Sequence, residues 1–194
     1  MANTIQYNRN QVLAKASEVF QKKGFNGASM QDLVDATGLN RSSIYNSFGS
    51  KMDLYVASLD IYRDQNAGIQ QSLVNNAKDG LSAIKSIFDI FIKTIVNDVE
   101  NKGCMIVNCK TELASTGDKS ILNWLLNSDK KGMELFENVI KRGQKDGSIN
   151  SKQSSKTYAL YISTALQGFR MTGIMNKNKG ELEVLASSFI NQLK

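Results

Sequence analysis

No proline occurs anywhere in the 194 residues, while apolar residues recur at three and four almost from end to end. That pairing constrains the fold more than any other feature. Proline breaks a helix by removing an N–H and clashing with the preceding turn, so its absence leaves every amphipathic stretch free to run. Val12, Leu13, Ala16, Val19 and Phe20 open the series, and Gly24 follows as a stop. Ser29 to Asp32 reads as a capping box in which Ser accepts from the third helical N–H and Asp reaches back to the cap. Leu33 and Val34 then face inward up to Gly38. Asn40 caps a short segment with Ile44 and Phe48 on its apolar face, and Ser50 to Asp53 is a second capping box. The helix that follows runs to about Asn76, interrupted only by Gly68.

Further amphipathic stretches cover Leu81 to Val99, Cys104 to Ala114, a long run through Trp124 and Ile140, Lys152 to Met175, and Glu181 to Leu193. No stretch alternates as a strand would, and nothing repeats. The expectation is an all-α fold of about nine helices. Residues 7–60 form a three-helix head with a helix-turn-helix, and residues 61–194 form an all-helical body. The boundary falls inside the fourth helix.

Composition excludes several chemistries. Histidine is absent, which rules out a Ser-His-Asp triad, a His-ligated metal and an imidazole base. Two cysteines are too few for a disulfide scaffold and point to a reducing compartment. The polar stretch Met1 to Asn10 has no signal-peptide core, and no segment approaches a membrane span. The expected location is cytoplasmic, with no metal, no cofactor and no membrane partner. The net charge of +6 suits a polyanion partner. Residues 1–60 nevertheless hold six basic against five acidic side chains, so any DNA binding there depends on placed charges.

In the head, helix, glycine turn and short helix match the geometry that puts a second helix into the DNA major groove. With Ile44 inward, a rotation of about 100° per residue places Ser42 and Asn46 opposite it. Ser43 and Tyr45 fall on the flanks, and Arg41 stands at the exposed start after Asn40. These side chains can contact base edges and phosphates. Lys51 sits at a helix N-terminus, where its charge opposes the macrodipole and a bound phosphate would satisfy both. Ser29 marks a comparable anion site on the preceding helix. The alternative is an ordinary solvated face on a helical hairpin.

Residues 9–55 resemble the DNA-binding domain of the tetracycline-repressor (TetR) family of bacterial transcriptional regulators. Arg9, Phe20, Gly24-Phe25, Ala28-Ser29-Met30, Leu33-Val34, Thr37-Gly38-Leu39, Ile44-Tyr45, Phe48, Ser50-Lys51 and Leu54 carry the likeness. The resemblance implies phosphate contacts at Tyr45 and Lys51 and base reading by the short helix. Val34, Ser42, Ser47 and Met52 depart from the usual residues, and Ser42 and Ser47 bear on which operator is read.

Farther along, Gly103-Cys104-Met105-Ile106-Val107-Asn108 and Glu112-Leu113-Ala114 resemble a subgroup whose sixth helix opens with Gly-Cys. The resemblance implies a homodimer through the last two helices. Two apolar stripes agree with it: Tyr158, Tyr161, Ile162, Ala165, Leu166 and Phe169, then Leu182, Leu185, Phe189 and Leu193. Packing within one chain would also account for both. The resemblance further implies a small-molecule effector in the body. Phe88, Phe91, Ile95, Trp124, Phe136 and Tyr161 are the candidate walls, and Asn108 and Glu112 the candidate polar anchors. Cys104 follows Gly103 at a helix start, where unpaired N–H groups and Lys102 favour a thiolate, so an electrophile is a second effector class; the alternative is that both cysteines are small buried packing residues. Cys109 lies mid-helix without such help. By helix geometry the two cysteines are too far apart to bridge.

The reading that results is a sequence-specific regulator of double-stranded operator DNA, a repressor released by its effector. A helical small-molecule carrier and a non-specific DNA binder are the alternatives, and an enzyme is not expected.

Overall fold

A computed structural model describes residues 7–194, so most of the polar start read above lies outside the described residues. Among the described residues there are nine helices and no strand: α1 (Arg9–Gly27), α2 (Met30–Thr37), α3 (Arg41–Phe48), α4 (Lys51–Asn76), α5 (Gly80–Asn97), α6 (Met105–Leu113), α7 (Lys119–Asp146), α8 (Ser155–Met175) and α9 (Lys179–Asn191). No helix among them is long and apolar enough to cross a membrane.

The caps expected in the head all form. The Ser29 and Ser50 hydroxyls accept from the Asp32 and Asp53 N–H groups, and each Asp carboxylate accepts in return from its serine N–H. The Asn40 side-chain Oδ1 accepts from the Ser43 N–H at 2.8 Å. Gly38 takes the left-handed conformation at φ 75° that closes α2. Gly24 is less of a stop than its sequence context suggests. It kinks α1 at φ 70°, ψ 177°, and one more turn follows as far as Gly27. Gly68 does not break α4 at all.

Two apolar cores result. One lies among α5, the second half of α7, α8 and α9, around Ile84, Ile87, Phe88, Phe136, Ile162 and Phe169. The other belongs to the head, around Phe20, Leu33, Ile44, Leu54 and Tyr55, but it does not stop there. Met105, Cys109 and Leu113 of α6 and Ile121, Trp124 and Leu125 of α7 complete it. The head is therefore roofed by body residues, and α4 runs unbroken between the two.

Polar contacts reinforce that junction. The Gln21 amide donates to the Gly103 carbonyl at 2.6 Å, and Ser17 Oγ donates to Met105 Sδ. Trp124 Nε1 donates to Asp60 at 2.9 Å. The N-terminal end of α6 is thus fastened to α1 at Ser17 and Gln21.

Candidate nucleic-acid interface and the body cleft

Helix α3 buries Ile44 and Phe48 and turns its other side outward. Arg41, Ser42, Tyr45 and Asn46 are exposed, with Tyr45 at 41%, and Ser43 is half-buried. The Arg41 guanidinium lies 5.9 Å from the Tyr45 ring centroid, so the two form one surface. Asn40 is committed to capping and also accepts from the Ser42 hydroxyl at 2.8 Å. Arg9, absent from the expected contact residues, donates to the Ser47 carbonyl at 3.1 Å and covers the Phe48 ring. It clamps the end of α3 onto α1.

The Lys51 ammonium rests 4.5 Å from the Phe25 ring centroid at the start of α4. The aromatic face holds it in the first turn, where the macrodipole would otherwise repel it. Ser29 differs from the anion site expected of it. Its N–H and hydroxyl both donate to Asp32, whose other oxygen takes the Lys23 ammonium at 2.6 Å. The Lys23 and Ser29 hydrogen bonds hold the Asp32 carboxyl far below the usual carboxylate range, so an anion already occupies this turn.

In the body the expected ligand walls separate. A cleft of about 120 Å³ is lined by residues of α4, α5, the α5–α6 turn and α8. Phe91, Ile95 and Cys104 are in it. A second, more open cleft of about 390 Å³ adjoins it and includes Phe91 and Phe136. The remaining five candidates serve elsewhere. Phe88 is fully buried, edge-on to Phe169 at 5.7 Å. Trp124 belongs to the head's core, and Tyr161 packs on Phe189 of α9.

Asn108 and Glu112 are clasps, not ligand anchors. The Asn108 amide donates to the Lys102 and Gln21 carbonyls. The Glu112 carboxylate accepts the N–H groups of Phe25 and Asn26, at 2.8 and 2.6 Å, just past the Gly24 kink. Both lines of contact join α6 to α1. Arg170 and Tyr62 were not anticipated, yet both line the first cleft, and Arg170 lines both. A lone Arg beside a buried Phe reads as an ordinary solvated side chain, so nothing in the sequence flags it.

The dimer stripes also need correction. Tyr158, Ile162, Ala165, Phe169 and Leu182 are buried within one chain, Phe169 to 1%. Leu185 and Phe189 pack partly against the same core. What α8 and α9 leave exposed is a different face: Leu160 at 60%, Met171, Met175 and, on α9, Val184 at 68%. Thr164 and Gly168 fall between Leu160 and Met171, exposed on the same line.

Residues 12–57 match the sequence profile described as "Bacterial regulatory proteins, tetR family". The HTH-type transcriptional repressor DhaR of Mycobacterium sp. (strain GP1) is 24% identical over 176 residues, 90% of this chain and 86% of that protein. The HTH-type transcriptional repressor ComR of Escherichia coli (strain K12) is 27% identical over 168 residues, 86% of this chain and 79% of that one. Among solved structures, a cysteine mutant of the regulator CifR bound to 26-bp double-stranded operator DNA superposes with a TM-score of 0.86. It is 21% identical, with 99% of this chain and 100% of that chain covered. A TetR transcriptional regulator from Legionella pneumophila gives 0.80 at 24% identity, covering 99% and 100%.

Proposed function

We propose that this chain is a helix-turn-helix transcriptional regulator of the TetR family, not an enzyme, and works as a cytoplasmic homodimeric repressor on a two-fold symmetric operator. Residues 7–60 are the reading head, and residues 61–194 bind the effector and the second subunit. The observation that carries the reading is the outward face of α3. Ser42, Tyr45 and Asn46 stand exposed beside Arg41, while every apolar residue of that helix is turned into the core. Asn46 and Arg41 can read base edges, and Tyr45 and Lys51 contact phosphates on either side.

The exposed line Leu160–Thr164–Gly168–Met171 of α8, with Val184 of α9, is the dimer surface this reading needs. Small residues in its middle let two helices approach closely. An effector in the body cleft reaches the head through α6. Gly103 and Cys104 line that cleft; Gln21 ties this turn to α1, and Ser17 and Glu112 tie the two ends of the α6 that follows it. Because Cys104 is among the residues that line the cleft, an electrophile that alkylates it is a second route to release.

A gel shift with DNA upstream of the protein's own gene and neighbouring genes tests the reading. A discrete complex that survives excess unrelated competitor DNA supports an operator. A complex that competitor removes in proportion to its mass supports non-specific binding, and no complex at all leaves a small-molecule carrier. Mass spectrometry after limiting iodoacetamide tests the covalent route. Labelling of Cys104 ahead of Cys109, whose thiol burial pushes up, is the expected order.

A further inference from the structure

The two clefts of the body are lobes of one cavity, since Asn66, Gln70, Phe91 and Arg170 line both. Arg170 stands at the waist. Its guanidinium lies 4.1 Å from the Phe91 ring centroid, and one Nη donates to Cys104 Sγ. Among the described residues no carboxylate lies within ion-pair distance of it. The other cations of the cavity are accounted for. Lys110 is held by Asp129 at 2.6 Å, and Arg63 by Asp60 and Asp64. Lys131 is exposed at the rim.

The acid in the inner lobe is equally committed. Asp98 accepts the N–H groups of Lys102 and Gly103 at 3.0 and 2.8 Å and faces Lys177. It holds the turn before α6 and leaves Arg170 unneutralised. A guanidinium has five N–H donors in a planar fork, and a sulfur uses one of them poorly. A half-buried cation with an aromatic behind it and open donors in front is matched by a carboxylate, which takes two parallel bonds.

Neighbouring chemistry narrows the ligand further. The Tyr62 phenol lies by Cys104 and Arg170, and burial pushes its pKa up, so it stays a neutral donor. Asn66 and Gln70 add amides at the waist, while Ile90, Ile95 and Ile174 make the inner lobe apolar.

We infer that the cavity takes a small amphiphilic monocarboxylate, its carboxylate paired with Arg170 at the waist and its apolar tail in the inner lobe. The inference rests on the reading of the body as the effector-binding unit and assigns that effector a chemical class. A neutral amide of the same tail would keep the apolar contacts and lose the ion pair. An alkylammonium ion would face an unpaired guanidinium.

Isothermal titration of the full-length protein with octanoate, octanamide and octylammonium tests this. Octanoate should bind at least about tenfold more tightly than octanamide, the difference expected of a charge-assisted pair, and octylammonium should not bind. Arg170→Gln should bring octanoate down to the octanamide level while leaving octanamide nearly unchanged, and Arg170→Lys should restore part of the preference. The ranking in the unmodified protein stands alone if Arg170→Gln fails to fold. No saturable octanoate binding at millimolar concentration, or equal binding of acid and amide, would overturn the inference. Titration is run without DNA and the operator gel shift without ligand, so failure here is distinguishable from failure of the regulator reading.

Discussion

The head and the body are built alike, as helices around a buried apolar core, but they differ in how far apart the residues lie that must cooperate. In the head each helix starts at a cap that closes within three residues: Ser29 with Asp32, Asn40 with Ser43, Ser50 with Asp53. In the body, the cavity draws Tyr62 from α4, Phe91 from α5, Cys104 from the start of α6 and Arg170 from α8. A reading surface can be specified by one short helix, whereas a binding cavity exists only once four helices have packed. Between the two, α6 belongs to both, with Met105 and Cys109 in the head's core and Gly103 and Cys104 at the cavity wall.

Emptying the body's core should have the largest effect. Phe88→Ala removes a fully buried ring packed against Phe169 and Phe189 and should cost about 3–5 kcal/mol. Thermal unfolding should show a large fall in Tm. Because Met105, Cys109 and Leu113 of α6 and Ile121, Trp124 and Leu125 of α7 complete the head's core, the helicity of head and body should be lost together in the same melt.

Leu160→Glu tests the other face of α8. It places a charge on the exposed line without touching the core, so Tm should change little while sedimentation shows monomers and operator affinity falls. Phe169→Glu makes the contrast, since it should unfold the chain instead. A Leu160→Glu protein that stays dimeric would place the interface elsewhere.

Glu112→Ala opens the clasp between α6 and the Gly24 kink, leaving two N–H groups without their acceptor at a cost of about 1–3 kcal/mol. Its fluorescence should change as well, because Trp124, the chain's one tryptophan, lies at this junction. Ligand affinity should survive and its effect on DNA binding should weaken. Unchanged release by ligand would mean that α6 does not couple the regions through this contact.

Lys51→Ala should leave stability within about 1 kcal/mol, since it loses only the cation–π contact with Phe25. It should weaken binding to every DNA sequence and lower the salt slope by about one. Smallest is the effect of acid. Lys23 and Ser29 hold Asp32, and Ser50 holds Asp53, below the usual carboxylate range, and cap contacts do the same for Asp79 and Asp118 in the body. A depressed folded pKa contributes stability above about pH 4 that is lost as pH falls below it. Both regions share these caps, so far-ultraviolet circular dichroism should show them loosening together in acid.

Helix order and most boundaries were legible because caps, glycines and apolar spacing act locally; α4 runs from Lys51 to Asn76 as expected. The outward face of α3 was legible for the same reason. The stripes on α8 and α9 misled because size and apolarity mark what is buried, not by whom. Tyr158, Ile162 and Phe169 went into the chain's own core and left the mixed line around Gly168 outside. Asn108 and Glu112 carried the right polarity, but it is spent on the backbone of α1. Arg170 became distinctive only through what packs around it.

Selection of the full-length protein on random double-stranded DNA tests the central claim, that two α3 helices related by two-fold symmetry read an operator. The expected product is an inverted repeat with half-sites about one helical turn apart, or slightly more, whose base preference changes with Asn46→Ala but not with Lys51→Ala. Recovery of no repeat, or of a site indifferent to Asn46, would contradict it.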